Sequence, residues 1–117
     1  TTNEEEVEAF LSERGFETVA PATMSFREQI ELFGQAEVIV GTGAGLFNMV
    51  FAPPGTKVLQ LQETSHMEPA LWMMAAAIDV EYHYVLCDAV PNPEHFNADI
   101  HVPIDKLEAS LLAMAEA

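Results

Sequence analysis

The sequence predicts an α/β fold, a Rossmann-like and mainly parallel sheet with helices on both faces. Three observations predict it. The apolar run at 38–40 meets three alternate glycines, Gly41, Gly43 and Gly45, and passes into an apolar helical run that Pro53-Pro54-Gly55 stops. Strand-like runs alternate with helical periodicities along the chain, which calls for strands laid side by side with helices packed over them. Half of the 117 residues are apolar, with no repeat or low-complexity linker among them. Residues 1–117 therefore read as one domain with its own core.

The elements follow in order. Residues 3–14 read as a helix. Asn3 can cap it, Glu6 holds the capping-box position, and Val7, Phe10 and Leu11 form a stripe at i, i+3, i+4. Gly15 is a natural stop. Residues 16–20 read as a short strand, ended by Pro21. Ser25 and Glu28 form a second capping box, ahead of a helix that buries Phe26, Ile30 and Phe33 and ends at Gly34. The strand at 37–40 comes next, and its uninterrupted apolar run predicts a central strand buried on both faces. Residues 57–61 are a strand. An Ala- and Met-rich helix spans 68–78, with Trp72, Met73 and Met74 in the core. Residues 80–86 are a strand, 88–98 a polar loop and 99–102 a short strand. Pro103 starts a last helix with Ile104, Leu107, Leu111 and Met114 on one face. A Rossmann-like half normally opens on a strand, and this chain opens on a helix. It therefore reads as a fragment of a longer protein.

Nineteen acidic residues stand against four basic ones, a net charge of −15. Nucleic acids and anionic membranes need clustered Lys and Arg, so neither is an expected partner. The surface reads as solvated and acidic, suited to high-salt surroundings or a basic partner. No apolar run reaches the ~18 residues of a membrane span. The start, Thr1-Thr2-Asn3-Glu4-Glu5-Glu6, is not a signal peptide, and a cytoplasmic location is expected if the source is bacterial or archaeal. Cys87 is the single cysteine, which excludes an internal disulfide, and it lacks zinc-ligand spacing. His66, His83, His95 and His101 match no compact metal site, so no metal is expected.

The chemistry concentrates at the glycine turn. A strand, a glycine-rich turn and a helix start let backbone approach a ligand and offer it free N–H groups, an arrangement suited to phosphate or pyrophosphate. The candidates are Gly41, Thr42, Gly43, Ala44 and Gly45. A tight turn without ligand is the plain alternative for the glycines. Open parallel sheets bind ligands beyond the carboxyl ends of their strands. That edge adds His66. Gln60 and Gln62 alternate with Leu59 and Leu61, so one set faces away from the core. His83 reads as packed between Tyr82 and Tyr84, and His95 and His101 as exposed. No nucleophile–base constellation emerges, and the catalytic residues stay unassigned.

Five stretches carry a family resemblance. They are Asn3-Glu4-Glu5-Glu6-Val7 with Arg14-Gly15-Phe16, Ser25-Phe26-Arg27-Glu28-Gln29, Ala36-Glu37-Val38-Ile39-Val40-Gly41, Gly43-Ala44-Gly45-Leu46-Phe47-Asn48, and Phe51-Ala52-Pro53-Pro54-Gly55. Together they resemble glycosyltransferase family 61, whose members are often labelled capsular polysaccharide biosynthesis proteins. The strand Tyr82-His83-Tyr84 also fits. The resemblance covers nearly the whole chain and matches the C-terminal half of a two-lobed glycosyltransferase of GT-B type.

The resemblance implies sugar transfer, with inversion, from a nucleotide-sugar donor of UDP-sugar type to a glycan or protein acceptor, in polysaccharide or glycoconjugate biosynthesis. Gly43, Ala44, Gly45 and, on the first turn, Asn48 would lie against the donor diphosphate, with capping or packing the plain alternative for Asn48. The acceptor side would come largely from an N-terminal lobe of the same protein, and residues 1–117 alone are expected to be inactive. Two positions depart from the pattern. The family usually carries a His before Gly-Ala-Gly-Leu, whereas this chain reads Gly41-Thr42-Gly43-Ala44-Gly45. An acidic residue that could hold sugar or ribose hydroxyls is common where Gln60 stands; Gln60 can hydrogen-bond without charge, and Glu63 is a possible substitute, with a solvated loop carboxylate as its plain alternative. Two other readings stay open. One is a non-catalytic Rossmann-like binding or interaction domain, favoured for the isolated chain by its acidic surface and the absent His. The other is an FAD- or NAD-binding domain, since Val38 to Gly45 resembles the start of a dinucleotide fingerprint. That fingerprint, however, requires a glycine where Leu46 or Asn48 stands.

Overall fold

The computed structural model describes residues 2–19, 23–42, 46, 49–63, 69–90 and 99–116. Along the chain come α1 (Glu4–Ser12), α2 (Phe26–Phe33), β1 (Val38–Gly41), β2 (Lys57–Glu63), α3 (Pro69–Ala77), β3 (Glu81–Val90), β4 (Asp99–His101) and α4 (Ile104–Glu116). The chain is thus mixed α/β. The hydrogen-bonded strand order is β1-β2-β3-β4. β1 and β2 run parallel, whereas β3 and β4 run antiparallel. The elements gather into two compact units, and β3 passes from one to the other after Val85.

One unit holds α1, the end of β3, β4 and α4. Gly15, at φ +87°, ends α1 in the left-handed conformation that glycine adopts at little cost. The Phe16 N–H donates to the Leu11 carbonyl and the Gly15 N–H to that of Ser12. Arg14 lies 3.5 Å above the Phe10 ring centroid and donates to the Phe10 carbonyl. Val7, Cys87, Ile100, Val102, Leu107 and Met114 are the buried residues among those described in this unit. Leu107 and Met114 therefore mark the inner face of α4, as their spacing predicts.

Asn3 does not cap α1 through its side chain. Its amide bonds instead to both backbone groups of Val102 and to Glu6 Oε1. The 16–20 strand is also corrected. Residues 16–19 form no strand, because the helix stop takes the Phe16 N–H and Glu17, Thr18 and Val19 stay exposed. β3 runs on to Val90, past the expected loop boundary, because Asp88, Ala89 and Val90 find partners in His101, Ile100 and Asp99.

The other unit holds α2, β1, β2 through Gln62, α3 and β3 through Val85. The Ser25 capping box is complete, with Glu28 N–H donating to Ser25 Oγ and Ser25 N–H to Glu28 Oε1, each at 3.1 Å. Those bonds hold the Glu28 carboxyl below its usual range. Of the expected buried face of α2, only Phe33 is enclosed. Phe26 is 68% exposed and meets Phe51 edge to face. The core packs Leu46, Met49, Val58 and Ala75 against Ile39, Met74, Ile78, Val80 and Tyr82. Met73 points outward. α3 is apolar on every side, so its pattern could not select an inner face.

The turn into β2 is tied on two sides. The Gly55 N–H donates to the Asp79 carbonyl, the Lys57 N–H to that of Glu37 and the Glu81 N–H to that of Thr56. The buried Thr56 hydroxyl donates to the Pro53 carbonyl at 2.8 Å, with the Ala36 carbonyl 3.1 Å away.

The expectation of a central, doubly buried strand at 38–40 is corrected as well. β1 lies at the end of the described strand order, and its four residues are half-buried. β2 stands between two strands and buries Val58, Leu59, Gln60, Leu61 and Gln62 in succession. An apolar run reports that both faces of a strand are covered in part, and says nothing of how many strands flank it.

Candidate functional site

Parallel pairing places Gly41 beside Gln60. Gly41 is the last residue of β1, and Gln60 lies three residues before the end of β2. The carboxyl ends of two parallel strands thus meet where the glycine stretch begins, the edge at which open α/β sheets hold ligands. Thr42 follows and is exposed. Gly43, Ala44, Gly45, Asn48 and His66 lie outside the described residues. Glu63 ends β2, and its backbone alone is described.

Gly41 has a packing reason for being glycine. A Cβ at this position would sit 3.0 Å from Leu46 Cδ2 and 3.4 Å from Leu46 Cγ. Leu46 belongs to the core cluster. A side chain here would have to push Leu46 back by a few tenths of an ångström, so glycine lets Leu46 pack over the end of β1.

Gln60 and Gln62 were expected to alternate with the leucines across an inner and an outer face. The structure buries both sets, leaving Gln60 2% and Gln62 5% exposed. Buried amides require partners, and these form a directed chain. The Tyr82 hydroxyl donates to Gln60 Oε1, and Gln60 Nε2 donates to Gln62 Oε1 at 2.8 Å. Val58, Gln60 and Gln62 share one face of β2 by the period of two. Tyr82 packs against the cluster containing Val58, so the chain of amides continues that apolar core toward the strand ends. Burial pushes the Tyr82 hydroxyl pKa up, and the neighbouring Tyr84 adds to the shift. Tyr82 is thus a neutral donor.

Sequence reasoning missed Tyr82, because the register of β3 against β2 is not written in either strand. It also placed His83 between two tyrosines. His83 Nε2 instead faces Glu81 Oε2 at 3.1 Å without hydrogen-bond geometry, and Lys57 Nζ lies 3.9 Å from the same oxygen. The two-residue spacing, which puts Glu81 and His83 on one face, was the available signal. His101 is exposed as expected, with Nδ1 3.2 Å from Thr2 Oγ1. His95 lies outside the described residues.

Cys87 is fully buried. Its thiol is pushed up to about 11 by burial first and by Asp88 second, against a lowering by Lys106. It is a core side chain with no nucleophilic character at neutral pH. Among the described residues no group of His, Cys, Asp or Glu gathers to hold a metal, and no helix is long and apolar enough to cross a membrane.

Comparison with known proteins adds independent findings. The family model for Glycosyltransferase 61 matches residues 1–59, just over half of the chain and inclusive of the glycine stretch. A beta-1,2-xylosyltransferase of Oryza sativa subsp. japonica is 34% identical over 65 residues, covering 55% of this chain and 12% of that protein. The matched stretch of this chain therefore spans about an eighth of that relative's length. No solved structure matches.

Proposed function

The chain belongs to glycosyltransferase family 61, and on that premise we propose that it supplies the donor-side region of a nucleotide-sugar transferase. The observation that carries the proposal is the parallel pairing of Gly41 with Gln60, directly ahead of Gly43-Ala44-Gly45. Backbone N–H groups of that stretch would hold the donor diphosphate, because an anion needs donors and the chain offers few basic side chains. Asn48 would stand on the first turn after that stretch, and Glu63 and His66 follow Gln60 in the sequence as further candidate donor contacts. The whole lobe would be a mainly parallel, Rossmann-like half of a GT-B transferase, with the acceptor held largely by the rest of the protein. The product would be a polysaccharide or glycoconjugate. The name of the rice relative makes UDP-xylose the first donor to try.

The test is titration of the full-length protein with UDP, UDP-sugars, NAD and FAD, followed by a transfer assay with the donor that binds. The proposal expects saturable UDP or UDP-sugar binding and none by NAD or FAD. Binding of a dinucleotide alone would move the chain to the flavin or nicotinamide reading. Absence of all binding would leave the non-catalytic reading.

A further inference from the structure

The Tyr82–Gln60–Gln62 chain has no need to exist for packing alone. Three polar side chains sit beside Val58, where apolar residues of similar volume would fill the same space without desolvating two amides and a hydroxyl. The chain is also directional. A tyrosine hydroxyl has one proton, and that proton goes to Gln60 Oε1. The acceptor end of Gln60 is thereby fixed toward β3, and its donor end toward Gln62. Gln62 then receives at Oε1, which turns its own amide nitrogen away from Gln60. Each step orients the next, and the chain runs along β2 toward its carboxyl end. Gln60 is also the register partner of Gly41.

Resting on the donor-site reading above, we infer that Tyr82 is a positioning residue. It orders the Gln60–Gln62 amides and thereby sets the end of β2 against Gly41, from which the diphosphate-holding stretch departs. It touches no donor itself. Its effect passes through Gln60 and is felt as donor affinity.

A purely structural role and a positioning role make opposite forecasts for a fully apolar replacement. Removing one partner of a buried hydrogen bond is costly, whereas replacing all partners with apolar groups of similar shape is nearly neutral for stability. The experiment therefore uses the full-length protein in three forms: wild type, Tyr82→Phe, and the triple variant Tyr82→Phe, Gln60→Leu, Gln62→Leu. UDP and UDP-xylose affinity is measured by calorimetry and the melting temperature by near-UV circular dichroism. Tyr82→Phe is expected to weaken UDP binding by about five- to tenfold, the loss of one ordered hydrogen bond. The triple variant is expected to melt near wild type and still bind UDP at least as weakly as Tyr82→Phe. Restoration of binding together with stability in the triple variant would overturn the inference, since the chain would then serve the core alone. Should the triple variant fail to fold, unchanged UDP affinity in Tyr82→Phe would overturn it equally. Absence of UDP and UDP-sugar binding in wild type would overturn the donor-site reading itself, a result distinct from binding that the variants leave untouched.

Discussion

Asn3 clasps the backbone of Val102 with both ends of its amide. Its Oδ1 accepts from the Val102 N–H at 2.9 Å, and its Nδ2 donates to the Val102 carbonyl at 2.8 Å. The residue that sequence reading assigns to a helix cap thus joins the start of α1 to the segment between β4 and α4. The Thr2 N–H adds a bond to the Ile100 carbonyl at 2.7 Å.

A cap and a clasp respond differently to substitution. Asp is as good a cap as Asn, but a carboxylate offers no proton to the Val102 carbonyl. Asn3→Asp is therefore expected to destabilise the chain by about 1–3 kcal/mol, the range for leaving a buried polar group unpaired. Urea unfolding at neutral pH measures it. An unchanged midpoint would show that Asn3 acts as a cap after all.

Gly41→Ala is expected to cost about 1 kcal/mol, as a methyl group forced into a packed region does. The added Cβ would lie 3.0 Å from Leu46 Cδ2, and Leu46 is 3% exposed with little room to retreat. Equal stability in denaturant titration would show that Leu46 moves aside, and the packing account of Gly41 would fall.

These two sites mark what a single sequence carries and what it does not. The Ser25–Glu28 capping box, the Gly15 stop and the Leu107–Met114 face were legible because each depends on residues within one or two turns of one another. The Asn3 clasp depends on a residue 99 positions away. The end position of β1 and the extension of β3 depend on which strands pair. The site divides the same way. Gly41 could be named from its place after the apolar run, and its juxtaposition with Gln60 follows from parallel pairing, but the burial of Gln60 could not be read. Tyr82 could not be read, because its role is fixed by the register of β3. Gly43, Ala44, Gly45, Asn48 and His66 rest on sequence alone.

Added salt is expected to raise the melting temperature. Four basic groups cannot neutralise nineteen acidic ones, and Arg27, Arg14 and Lys57 already face carboxylates at 3.6, 3.7 and 3.9 Å. The remaining carboxylates repel one another, and salt screens that repulsion over a Debye length of roughly 8–10 Å. Melting followed from low to moderate NaCl at pH 7 tests it. A flat or falling temperature would contradict it.

Alkaline pH is expected to weaken the fold. The Cys87 thiol is raised from 9.0 to about 11 in the folded chain, and Tyr82 is shifted in the same direction. Between these thiol values the unfolded chain has lost the Cys87 proton and the folded chain keeps it. The unfolded state therefore binds fewer protons, and stability falls as pH rises. The stabilisation is fully present below pH 9 and lost as pH passes about 11. Urea midpoints across that window measure it, and thiol labelling at pH 8 should be slow until denaturant is added. Rapid labelling of the native chain would contradict the burial of Cys87.

The glycine stretch beginning at Gly41 is proposed to hold a nucleotide diphosphate. Gly45→Asp tests it most directly, because it sets a carboxylate where the anion would lie while leaving β1 and β2 intact. UDP binding is measured by calorimetry on full-length wild type and variant, with far-UV circular dichroism as the control for folding. Wild type is expected to bind UDP saturably and Gly45→Asp to lose that binding, with an unchanged spectrum. Equal UDP affinity in the two proteins would contradict it and place the anion elsewhere on the chain.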